Sequence, residues 1–137
     1  MPVTNREELR DILTTSKVIA VVGYSNSPMK PSYQIGQMLK RVGYTVYPVN
    51  PTLDEIDGEK CYHTLDEVPE PIDIVDVFRR PEYLVGVVED AIRVQAKCVW
   101  AQLGIANNAA AEKAEAAGLK MVMDNCIKVT YYQLVSR

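Results

Sequence analysis

Five stretches of the chain are apolar at almost every position: 17–23, 44–51, 72–78, 97–101 and 119–123. Runs this short and this uniformly apolar predict strands buried on both faces. Between them apolar residues recur at helical spacing. Leu9, Ile12 and Leu13 mark one face of a helix over 5–15, which a capping box of Thr4 and Glu7 opens. Ile35, Met38, Leu39 and Val42 follow i, i+3, i+4, i+7, in a helix that Pro31 and Ser32 start, Ser32 as N-cap, and that Gly43 stops. Pro81 and Glu82 suit the first turn of a third helix, with Leu84, Val88, Ala91 and Ile92 on its buried side. Asn107 caps an alanine-rich helix ended by Gly118, and a last helix from about Asn125 carries Ile127, Tyr131 and Leu134. The segment 52–60 reads as a polar loop, a short strand follows around 61–63, and Thr64 with Glu67 caps one helical turn.

Apolar strands alternating with helices imply a parallel sheet covered on both sides. Right-handed crossovers then give a Rossmann-like, doubly wound three-layer α/β/α fold, in one domain over 1–137. The length of 137 residues suits one core without staples. No repeat, low-complexity segment or linker interrupts it.

Composition narrows the function classes. A net charge of −3 carries no nucleic-acid footprint. No apolar run reaches the ~20 residues of a membrane span, and the first residues lack an apolar signal core. The three cysteines, Cys61, Cys98 and Cys126, show no C-x-x-C spacing. Together these give the expectation of a reduced, cytoplasmic protein without nucleic-acid or membrane partners. One histidine, His63, and scattered cysteines make no zinc set, and there is neither a Walker A motif nor a G-x-S-x-G elbow. No catalytic group and no metal site is expected.

In a doubly wound sheet, ligands bind outside the carboxyl ends of the strands. Here those ends are rich in polar, basic and aromatic residues. "VVGYSNSPMKPS" lacks the later glycines of a dinucleotide loop, yet keeps Gly23 for a tight turn, Ser25 as a hydroxyl, Lys30 as a cation and Ser32 at a helix start. That combination suits a phosphate or pyrophosphate, although Gly23 and Ser32 also serve as plain turn and cap. The second strand ends at Asn50-Pro51 without the acid that NAD binders place there, which favours NADP or coenzyme A. Arg79 follows the strand at 72–78 and can pair with a phosphate; Arg80 reads equally as a solvated charge. Phe78 and Trp100 either flank an adenine or pantetheine arm or belong to the core. Cys126 lies at a helix start, the setting of reactive thiols, or is a buried small residue.

The segments "VVGYSNSPMKPS", "GYTVYPVNP", "IDIVDVFRRPE", "VWAQLGI" and "MDNCI", in this order, resemble the stand-alone CoA-binding domain family (YccU-like). That family is similar to the nucleotide-binding domain of the succinyl-CoA synthetase α subunit and of ADP-forming acyl-CoA synthetases. The resemblance implies coenzyme A as ligand. Gly23, Ser25, Lys30 and Ser32 would hold its phosphates, with Tyr24 standing where many relatives carry a smaller residue. Asn50 and Pro51 would border the nucleotide. Phe78, Arg79, Trp100, Gln102, Gly104 and Ile105 would line the rest of the cleft. The synthetases' phosphorylated histidine belongs to a later domain, and His63 lies in the wrong segment to replace it. The expectation is binding of CoA or a short acyl-CoA without turnover, with Cys126 in disulfide reach of the CoA thiol. Two alternatives stay open: an NAD(P)-binding redox sensor or oxidoreductase, and an accessory subunit completing an acyl-CoA synthetase in trans.

Overall fold

The computed structural model describes residues 1–135; the last two residues of the expected domain lie outside the described residues. Five parallel strands form one sheet in the order β2-β1-β5-β6-β7: β1 (Val18–Val22), β2 (Thr45–Val49), β5 (Ile74–Val77), β6 (Cys98–Ala101) and β7 (Lys120–Val122). All five residues of β1 and all four of β5 and of β6 are buried, as the apolar runs of β1 and β6 predict; in β5 the run is broken by Asp76.

Alternation of side chains across the pleat divides the core in two. Ala20, Val22, Val75, Val77, Val99 and Ala101 face one way and pack on α3 (Leu84–Arg93) and α4 (Asn108–Ala116). Ile19, Val21, Ile74, Cys98 and Trp100 face the other way, against α1 (Arg6–Thr15), α2 (Pro31–Arg41) and α5 (Ile127–Leu134). The result is the expected Rossmann-like three-layer sandwich. No helix among the described residues is long and apolar enough to cross a membrane.

Local chemistry corrects several expectations. The cap of α1 is Asn5, not Thr4: its side-chain oxygen accepts from the amides of Glu7 at 2.8 Å and Glu8 at 3.2 Å. At α2 the N-cap is Lys30, without a side-chain cap bond, and Ser32 sits inside the first turn, where its hydroxyl is used elsewhere. The polar segment after β2 holds a small hairpin, β3 (Glu55–Ile56) and β4 (Glu59–Lys60), turned by Asp57 and Gly58 at φ 53° and 81°. Both turn residues have the positive φ that an Asp-Gly hairpin turn requires. The strand expected at 61–63 is a single bridge between Val49 and Tyr62. Thr64 makes no side-chain cap bond; instead the Glu67 carboxylate accepts from the His63 amide at 3.0 Å. Pro48 lies within β2. It is tolerated because β2 is the outer strand of the sheet, where a missing donor leaves no interior ladder bond broken.

Candidate functional site

The strands are parallel, so their carboxyl ends share one edge. Backbone bonds join them across it: Gly23 N to Val49 O at 2.9 Å, Phe78 N to Val22 O at 2.9 Å, Gln102 N to Val77 O at 3.2 Å and Asn125 N to Ala101 O at 3.2 Å. The chain leaves β1 toward β2 on one side and continues to β5 on the other, so the switch point lies between β1 and β5. There the two following loops touch. Gly23 has φ 89°, and a Cβ on it would stand 2.7 Å from the Phe78 carbonyl oxygen and 3.4 Å from Cδ of Arg79. Glycine is therefore required twice at this position, for its backbone angle and for the close approach.

The loop after Gly23 is tied down internally. The Ser25 amide donates to the Ser32 hydroxyl at 3.0 Å, and the Ser27 amide donates to the Ser25 hydroxyl at 3.0 Å. The Asn50 side-chain amide donates to the Tyr24 carbonyl at 2.9 Å, while its oxygen accepts from the amide and hydroxyl of Thr52. Asn50 thus stitches the loops after β1 and β2 together. Tyr24 points away from the cleft. Its ring is 1% exposed and lies against Gly36 of α2, where a Cβ would come within 2.2 Å of it. Its hydroxyl accepts from the Gln37 side chain at 2.9 Å, and burial raises its pKa.

Three cations follow the strand ends at this edge. Lys30 and Arg80 are exposed and Arg79 half-buried; none has an acidic partner among the described residues. Elsewhere Lys40, Arg93, Lys97, Lys113 and Lys120 are ion-paired, while Arg6, Lys17, Arg41, Lys60 and Lys128, like these three, have no acidic partner among the described residues. The Arg79 guanidinium lies 4.6 Å over the Tyr83 ring, which fixes its plane without neutralising it. By contrast, a concavity of about 430 Å³ at the other end of the sheet has its charges matched internally, the Met1 amine with Glu115 and Lys120 with Glu8.

The remaining expected residues divide. Phe78 is half-buried beside Arg79, and Pro51 is exposed next to Asn50. Gly104 has φ 81°; its amide donates to the Asp124 carboxylate at 2.7 Å, and the Ile105 amide closes the turn on the Gln102 carbonyl at 2.9 Å. Trp100 does not line the edge with its ring: it is wholly buried, and its indole N–H donates to the Asn125 carbonyl at 3.0 Å. Gln102 is 5% exposed, and its amide donates to Asp76. Cys126 is the half-buried N-cap residue of α5 at the same edge, while Cys61 and Cys98 are buried. His63 pairs with Asp54 at 2.8 Å in an exposed position, with no nucleophile joined to it. Among the described residues no group of three His, Cys, Asp or Glu gathers as a metal site.

One residue of this neighbourhood escaped sequence reasoning. Asp76 occupies the middle of β5, is fully buried, and one of its carboxylate oxygens has no hydrogen-bond partner. Burial pushes its pKa up to about 7, against the lowering effect of the Gln102 bond. The signal was present: an acid between β-branched residues of a buried strand.

This topology defines a single Rossmann-like α/β domain. The family model of the CoA binding domain matches residues 17–132, and the chain belongs to that family. Among curated proteins it is similar to YneT of Bacillus subtilis, 42% identical over 93% of this chain and 94% of that one. It is also 38% identical to the α subunit of the ADP-forming acetate–CoA ligase II of Pyrococcus furiosus, over 47% of this chain but only 14% of the ligase subunit. Among solved structures, a hypothetical protein from Pyrococcus horikoshii superposes with a TM-score of 0.93 at 38% identity, covering 98% of this chain and 96% of the other.

Proposed function

We propose that the protein binds coenzyme A or a short acyl-CoA at the carboxyl edge of the sheet, without turning it over. The observation that carries this reading is the tied-down loop from Gly23 to Ser32, set against unpaired Lys30 and Arg79 inside a CoA binding domain. A loop already held by its own hydrogen bonds loses little freedom on binding, and an unpaired guanidinium is available for bidentate contact with phosphate. Asn50 and Pro51, with no carboxylate at the end of β2, accept a phosphorylated ribose without repulsion. The reading is of binding alone. A cytoplasmic setting, where CoA is abundant, fits the free thiols.

Calorimetric titration with CoA, dephospho-CoA, NAD and NADP tests this. CoA should bind most tightly, and dephospho-CoA more weakly. Binding of NAD or NADP in preference to CoA would favour the redox reading instead.

A further inference from the structure

We propose that Asp76 is a buried positioning residue: through Gln102 it holds the first turn of α5 at the cleft edge, and loss of its proton releases that turn.

Three links form the chain. Gln102 Nε2 donates to Asp76 Oδ1 at 2.5 Å. The other end of the same amide, Oε1, accepts from the Ile127 amide at 3.4 Å, at the start of α5. Ile127 directly follows Cys126, the N-cap residue. The second oxygen of Asp76, Oδ2, is buried with no partner. With a proton on Oδ2 the carboxyl is neutral, Oδ1 still accepts from Gln102, and the amide is held with its carbonyl toward α5. Without that proton a full charge sits in a dry layer with a single donor.

Nothing nearby offsets that charge. Val21 on β1 and Trp100 on β6 flank Asp76 in register, and the Trp100 indole is committed to Asn125. The Cys98 thiol of β6 is the titratable neighbour, itself pushed up to about 12 by burial and then by Asp76. Lys120 of β7 acts on Cys98, and the Tyr24 hydroxyl beyond β1 is taken by Gln37. From α5 comes Ile127, and the buried Thr130 of that helix has its hydroxyl bonded to Asn125. The charge is relieved by water, and the weakest bond in the chain that leads from it to the sheet edge is Gln102–Ile127, at 3.4 Å. Ionisation therefore favours lifting of the first turn of α5. This holds whichever ligand occupies the cleft.

Amide hydrogen exchange followed by NMR from pH 5 to 8 tests the proposal without ligand. The Ile127 protection factor should fall by up to about tenfold per pH unit toward pH 7 and then level off, staying below that of the slowest core amides. In Asp76→Asn, which keeps the acceptor but cannot ionise, the fall should vanish. A pH-independent Ile127, or one that matches the slowest amides throughout, overturns the proposal. So does a fall that persists in Asp76→Asn. Should that variant not fold, the carboxyl carbon of Asp76 in the wild-type protein decides: titration with the midpoint of the Ile127 change supports the proposal, and titration in the ordinary carboxylate range overturns it.

Discussion

At Gly23 an added methyl group would stand 2.7 Å from the Phe78 carbonyl, in a backbone conformation with φ 89°. Gly23→Ala must either push the loops after β1 and β5 apart or strain both. We expect a loss of about 1–3 kcal/mol in urea unfolding, together with weakened CoA binding. Lys30 and Arg79 are the opposite case, because neither holds an internal ion pair. Lys30→Ala and Arg79→Ala should leave the melting temperature nearly unchanged while each weakens CoA roughly ten- to a hundredfold, the range of a lost charge-assisted bond. A fall in stability without a fall in affinity would assign them a structural role. Cys126 is the half-buried thiol of the three. Incubation with oxidised CoA should give a single adduct there, as its thiolate attacks the CoA disulfide and releases one CoA thiol. Intact mass with peptide mapping reads this, and an adduct on Cys61 or Cys98 would contradict it.

Among the elements, α2 shows best how the site is built. Its glycine, Gly36, exists to receive the Tyr24 ring, whose hydroxyl is then caught by Gln37 one residue on. Gly36→Ala should evict the ring, cost about 1–3 kcal/mol and loosen the loop that Tyr24 anchors. Adding Tyr24→Ala to that variant should recover part of the loss, which equilibrium unfolding of the double mutant measures. The strands and helices were legible because burial writes itself as pattern: β1 and β6 are apolar throughout, β5 is apolar but for Asp76, and α2 repeats at helical spacing. The caps were less legible. Asn5, Lys30 and Glu67 took roles that spacing assigned to Thr4, Ser32 and Thr64, because which oxygen reaches which amide depends on an entry angle that no pattern encodes. The hairpin was readable from Asp57-Gly58, but its strands are two residues each, with only Ile56 buried, too short to show a period. At the site, glycine and charge positions followed from the strand ends. The direction of the Tyr24 and Trp100 rings did not, since an aromatic residue at a strand end fits cleft and core equally well until the facing helix is known.

For the whole molecule, Asp76 carries a cost that changes with pH. Its pKa is raised from 3.8 to about 7 in the folded state, so between those values the folded chain holds a proton that the unfolded chain has released. Stability is then highest at low pH for this group and falls as pH rises toward 7, by on the order of 4 kcal/mol at most. Thermal melts across pH 5 to 8 should show this decline in the wild type and a flatter profile in Asp76→Asn. The fold tolerates the burden because the rest of that layer is apolar and closely packed, with Trp100 and Ile127 fully enclosed. The proposed ligand site lies at the carboxyl end of these same strands, where a preformed loop stands with Lys30 and Arg79. Calorimetry with CoA tests it most directly. The account predicts saturable one-to-one binding that weakens with dephospho-CoA and with Lys30→Ala, and no CoA binding at millimolar ligand would contradict it.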